Sequence, residues 1–141
     1  MIAYQLSIFA ENKPGRLDQI TGVLAAADLS IRAIKIGDLG EHGLVKILVN
    51  DPDKGYNALR NEKFIVSLKP VIAVEVDDKP GAFHMVLRTL TKNVINVEDA
   101  YGFALCNRGI LIIETTDADK AYVPLKEAGL KLLSKKEIYS L

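Results

Sequence analysis

Asn12-Lys13-Pro14-Gly15-Arg16-Leu17 and Asp78-Lys79-Pro80-Gly81-Ala82-Phe83 decide how this chain folds, because one Lys-Pro-Gly turn occurs twice, 66 positions apart. Each copy follows an alternating apolar run, Leu6-Ser7-Ile8-Phe9-Ala10 or Ile72-Ala73-Val74-Glu75-Val76, and each leads into a helical pattern. Proline fixes one backbone angle, glycine turns the chain without a Cβ clash, and the amides at the helix start are left free. Such a turn connects a strand to a helix. Its free amides also suit the carboxylate of a small ligand. Physical chemistry alone leaves both uses open.

A shift of 66 aligns the two halves without a gap, pairing Leu24 with Leu90, Leu39 with Leu105, Gly43 with Gly109 and Ile47 with Ile113. Asp51-Pro52-Asp53-Lys54-Gly55-Tyr56 matches Asp117-Ala118-Asp119-Lys120-Ala121-Tyr122, and Ile20/Val86 and Ile31/Val97 are conservative pairs. Glycines and turn residues in register mark a duplication. The expected domains are residues 1–69 and 70–141, with Lys69-Pro70 passing straight from one to the next.

In the first copy, residues 2–10 alternate as a half-buried strand. Leu17, Ile20, Val23, Leu24 and Ala27 share one face of a helix predicted over Arg16–Asp28. Strands follow at Ile31–Asp38 and Leu44–Val49, joined by a hairpin loop over Gly40–Gly43. Asp51 is a predicted N-cap with Pro52 at the first helical position, and Phe64–Leu68 closes the unit as a strand. The second copy gives strands Val71–Val76, Val97–Leu105, Ile110–Thr115 and Leu130–Leu133, with helices over Gly81–Lys92 and from Ala118. Pro124 is expected to kink or shorten the latter, Gly129 to follow it as a C′ glycine, and Ser134 and Glu137 to form a capping box for a terminal turn over Lys135–Ser140.

The order β-α-β-β-α-β, twice, is α+β: two tandem ferredoxin-like units, each an antiparallel sheet with helices on one face. A unit of about 65 residues buries only about 60% of its surface. Val45, Ile47 and Val49 face one way and Leu44 and Leu48 the other, so the second sheet face also needs cover. The units are therefore expected to pack side by side and the chain to form a homodimer.

Among the 141 residues 49% are hydrophobic, enough for a core, and acidic and basic residues balance to a net charge of zero. That balance argues against non-specific nucleic-acid binding and against a polybasic membrane signal. Cys106 is the single cysteine, and His42 and His84 lack ligand spacing, so no metal or cofactor site is expected. No apolar run approaches the roughly 20 residues that span a bilayer. With no charged n-region at its start, the chain reads as cytoplasmic.

No nucleophile elbow, zinc-protease motif or phosphate loop is present. Asp51/Asp53 and Asp117/Asp119 open helices, where capping and the helix dipole account for them. An acylphosphatase-like enzyme would use Arg16 and Asn12 in its first strand–helix loop, but the glycine pattern of that loop is missing. RNA-recognition sheets stack bases on aromatics, and Leu44–Val49 and Ile110–Thr115 carry none. A ligand-binding module remains. The helix-start amides favour a carboxylate, and Asn12 or Asp78 can accept hydrogen bonds from an ammonium, which together suit an α-amino acid. The alternative is that Pro-Gly only shapes the turn while Asn12 and Asp78 cap the helices.

The two D/N-x-P-G-x-[LF] turns within this element order resemble the ACT domain, a regulatory module of amino-acid-metabolising enzymes, over essentially the whole chain. Asn96-Val97 is similar to the family's Asn-Ile at the start of the second strand, where Ser30-Ile31 stands in the first copy. The resemblance implies domains paired into one sheet with an effector at the junction, the first loop of one facing the second strand of its neighbour. Carried over, Asn12, Lys13, Pro14, Gly15, Arg16 and Leu17 act with Asn96, the preferred site, and Asp78, Pro80, Gly81, Ala82 and Phe83 act with Ser30. Ala10 and Asp78 depart from the family pattern. The implied function is a non-catalytic regulatory protein that binds an amino acid and acts through its own assembly or a partner the sequence does not identify. The alternative is a structural or assembly module with vestigial sites.

Overall fold

A computed structural model describes residues 2–141. Its elements are β1 (Ala3–Glu11), α1 (Arg16–Ala26), β2 (Ile31–Leu39), β3 (His42–Val49), α2 (Pro52–Asn61), β4 (Ile65–Asp77), α3 (Ala82–Lys92), β5 (Val97–Leu105), β6 (Arg108–Thr115), α4 (Ala118–Glu127), β7 (Lys131–Leu132) and α5 (Lys135–Tyr139). The β-α-β-β-α-β order therefore occurs twice, each time as an antiparallel sheet with helices, the tandem ferredoxin-like arrangement. The chain divides into two compact units, one of Tyr4–Lys69 with Tyr139–Leu141, the other of Pro70–Ile138 with the N-terminal residues up to Ala3.

In the first unit β3 pairs antiparallel with β1 and with β2, in the registers Ile8↔Val45 and Ile36↔Val45. Period-two alternation aims Leu6, Ile8, Val45, Ile47 and Val49 at the helices, where they form one core with Ile20, Leu24 and Leu59. Phe64, Val66 and Leu68 pack against it. The opposite face is buried too: Leu48 is fully inaccessible, and Gln5, Ser7 and Lys46 are buried. Leu39 pairs with His42, so the hairpin loop is only Gly40-Glu41, two residues shorter than expected. Gly40 has φ 82 at the first turn position, the glycine-first pattern of a type II′ turn whose twist matches the strands.

The chain end also belongs to this unit. The Tyr4 N–H donates to the Tyr139 hydroxyl at 2.9 Å, and Arg32 Nε donates to the Tyr139 carbonyl at 2.9 Å.

In the second unit β6 pairs with β5 and with β4, and β7 pairs with β4. Ile72, Val74, Val86, Leu90, Leu111, Ile113, Ala121 and Leu125 make its core. Cys106 and Asn107 form the hairpin turn, with φ 52 and 63, the two left-handed positions of a type I′ turn. β4 runs for 13 residues, Ile65–Asp77, where the sequence predicted two strands, Phe64–Leu68 and Val71–Val76.

Two expectations need correction. Pro124 does not shorten its helix: α4 has 10 residues, as α2 does. Proline removes a single amide bond, while Ala118, Ala121 and Leu125 stay buried, so packing outweighs the local defect. The last strand is Lys131–Leu132 alone rather than Leu130–Leu133. The caps fall where the sequence placed them. Asp51 and Asp117 accept from Lys54 N–H and Lys120 N–H. Gly129 is left-handed with φ 79. Ser134 and Glu137 exchange both bonds of a capping box at 3.1 Å.

Candidate functional site

Both Lys-Pro-Gly turns leave a strand and enter a helix through a left-handed glycine, Gly15 (φ 89) and Gly81 (φ 85), each serving as N-cap without a side-chain capping bond. A Cβ at either would meet nothing within 4 Å, so backbone conformation, not space, requires glycine there. Arg16 N–H donates to Lys13 O at 3.3 Å and Gln19 N–H to Gly15 O at 3.0 Å, which leaves the Leu17 and Asp18 amides at the open helix end. In the second turn Ala82 N–H donates to Lys79 O at 3.2 Å and Met85 N–H to Gly81 O at 3.0 Å, leaving those of Phe83 and His84.

Asn12 does not cap its helix. Its Nδ2 donates to Gly40 O at 3.2 Å and to Asp38 Oδ1 at 3.4 Å, and its backbone N–H donates to Glu41 O at 2.9 Å. Asp38 Oδ1 also accepts from Gly40 N–H at 2.8 Å, so Asn12 clamps the turn to the β2–β3 hairpin. The second turn keeps only the backbone half of this clamp, Asp78 N–H to Asn107 O at 3.2 Å. A carboxylate has no N–H to donate, and among the described residues the Asp78 side chain is exposed and without a hydrogen-bond partner.

The two turns differ accordingly. Asp77, Asp78, Lys79, Gly81, Ala82 and Phe83 line a cavity of about 220 Å³, closed on the strand side by Val76, Ala104 and Gly109. The lining thus includes two carboxylates, one ammonium and the helix start with its free amides, groups able to accept from a cation and donate to an anion. Asn12, Lys13, Pro14 and Gly15 are exposed, and Arg16 is half-buried. Its Nη2 donates to Glu11 Oε1 at 3.0 Å and its Nη1 to Gln19 Oε1 at 2.8 Å. Hydrogen bonds from Lys13 and then Arg16 hold the Glu11 carboxyl below its ordinary pKa.

Ser30 and Asn96 are exposed at the entries to β2 and β5, in the first and second units respectively. Ser30 N–H donates to Asn50 Oδ1 at 2.9 Å. Pro80 is exposed, whereas Phe83 is half-buried and lies across Gly102 and Gly109. Sequence reasoning missed Ala104 and Gly109 as cavity walls. Gly109 had a signal, since it matches Gly43 in the repeat, but its contact with Phe83 depends on strand register.

Among the described residues no cluster could hold a metal ion, and no helix is long and apolar enough to cross a membrane.

A family model described as an ACT domain pair matches residues 1–141. Among solved structures, protein BT0572 from Bacteroides thetaiotaomicron is 37% identical, with a TM-score of 0.94, covering 100% of this chain and 98% of that one. The regulatory subunit of aspartate kinase from Thermus thermophilus, in its ligand-free form, shares the fold at 17% identity and a TM-score of 0.68, covering 91% and 92% of the two chains. That of Thermus flavus does so at 16% identity and a TM-score of 0.64, covering 92% and 94%. No curated protein matches the chain.

Proposed function

We propose that this chain, which belongs to the ACT domain family as a tandem pair, binds a free amino acid as a regulatory signal and carries out no chemistry of its own. The observation that carries the reading is the open cavity of about 220 Å³ at the Asp78 turn, where Asp78 meets the ligand ammonium and the Phe83 and His84 amides meet its carboxylate. Lys79 adds a second positive group, and Gly81 lets the backbone turn beneath the ligand.

The family resemblance preferred the Asn12 turn, but Asn12 Nδ2 is engaged with Gly40 and Asp38, leaving only Oδ1 to accept from a ligand, whereas among the described residues both Asp78 carboxylate oxygens are without a partner. This favours a structural role for the first turn and gives the second the stronger claim. Ligand binding changes the protein's state only through a difference in affinity between two arrangements, so regulation requires the amino acid to favour one of them.

Self-association fits the same reading. Ile34, Ile36 and Leu39 are exposed on β2, which pairs with β3 alone among the described residues. An unpaired strand edge with apolar side chains is a surface that a second copy covers.

Calorimetric titration of the chain against each common amino acid tests the proposal. One saturable exothermic or endothermic response is the expected result. A folded sample silent across the set would favour an assembly module with vestigial sites.

A further inference from the structure

On the first unit, beside the β2–β3 hairpin, Phe9, Glu11, Arg16, His42, Lys63 and Phe64, with Glu62 at the rim, line a cavity of about 250 Å³. Arg16 also borders a groove of about 680 Å³ between α1 and α2. Two walls of the smaller cavity are aromatic. Phe9 and His42 stack with ring centroids 4.7 Å apart at 9°, and the Arg16 guanidinium lies 5.9 Å from the Phe64 ring centre. Arg16 Nε is buried without a hydrogen-bond partner.

The ion pair that now engages Arg16 is lopsided. The Glu11 side chain is 52% exposed, against 29% for Arg16, so the carboxylate can rotate into water while the guanidinium stays in place. Exposed ion pairs are weak and screened by salt. A ligand carboxylate backed by an aromatic ring would form the same charge-assisted bonds in planar two-point geometry and add ring contact with Phe64 or the Phe9–His42 stack.

The repeat supplies an internal comparison. In the second unit a cavity of about 280 Å³ occupies the corresponding place, with Glu75, Ala82 and Leu130 where Phe9, Arg16 and Phe64 stand in the first. It has neither the guanidinium nor the rings. Glu75 there is held by Lys131 at 3.0 Å and Arg108 at 3.2 Å.

We infer that the first unit carries a separate site for a small aromatic carboxylate, anchored by the Arg16 guanidinium and floored by Phe64, with Glu11 as the internal competitor for the anion. It does not depend on amino-acid binding at the Asp78 turn.

Benzoate is the probe, titrated into the isotope-labelled full chain while the Arg16 Nε–Hε and the Lys63 and Phe64 amide resonances are followed. The expected result is a saturable shift of all three, with millimolar affinity fitting so small a ligand. Arg16→Gln and Phe64→Leu should each weaken binding by about tenfold or more, and Glu11→Gln should tighten it. Cyclohexanecarboxylate should bind more weakly than benzoate. An unsaturable response, unchanged affinity in a folded Arg16→Gln variant, no gain from Glu11→Gln, or shifts confined to the Asp78 turn would each overturn the inference.

Discussion

The Phe83 ring lies across Gly109, with Cε1 3.0 Å from the point where a Cβ on that glycine would stand. Gly102 is covered by the same ring, at 3.1 Å, and is further confined by the Ile110 carbonyl at 3.0 Å. In the first copy the corresponding residues are Leu17, Ile36 and Gly43. A larger side chain on the helix thus accompanies a smaller one on the strand. Phe83 and Gly109 are also walls of the Asp78 cavity, so core packing here shapes the candidate site.

Gly109→Ala should therefore destabilise the chain by about 1–3 kcal/mol, the usual cost of overpacking. Phe83→Leu should relieve part of that cost, because a shorter side chain vacates the Cβ position. Denaturant unfolding of both single variants and the double variant measures the coupling. Strictly additive losses would contradict the contact.

Asn12→Ala should cost about 0.5–1.5 kcal/mol, the net worth of an ordinary hydrogen bond, and should speed amide exchange at Gly40. The Asn12 backbone bond to Glu41 survives the change, so the turn loosens without unfolding. The reciprocal substitution, Asp78→Asn, should add a donor facing the second hairpin and slow exchange at Asn107.

Much of this was legible in the sequence. Repetition at a fixed offset, alternation in strands such as Ile72–Val76, and caps such as Asp51 and Ser134 are local signals with local causes. What escaped depended on residues distant along the chain. Asn12 looks like a helix cap until the β2–β3 hairpin brings Gly40 and Asp38 beside it. Pro124 looks like a helix breaker until the buried contacts of Ala121 and Leu125 are counted. The cavity at Asp78 has Ala104 and Gly109 among its walls, and only strand register brings them beside the turn.

Acidification should act through Glu75. Its hydrogen bond to Lys131, and then that to Arg108, hold its carboxyl below the ordinary value of 4.5, against the opposing effect of burial. A lowered folded-state pKa contributes stability above the unfolded value and loses it as pH falls through the folded value. Glu75→Gln should therefore flatten the loss of stability below about pH 4.5 that unfolding curves record for the native chain. An unchanged acid limb would contradict the assignment.

Pro124→Ala should raise stability by about 1 kcal/mol or more, since it restores an amide bond inside α4 and outweighs the unfolded-state restriction lost with proline. Thermal unfolding checks the sign. A lower midpoint would mean that the half-buried proline ring contributes packing worth more than the missing bond.

The most direct measurement is an amide-resolved NMR titration of the full chain with each common amino acid, read at Asp78, Phe83 and His84. One amino acid should shift all three saturably, and Asp78→Ala in a folded chain should weaken its binding by about tenfold or more. A folded chain whose Phe83 and His84 amides respond to no amino acid, or respond equally after Asp78→Ala, would contradict it.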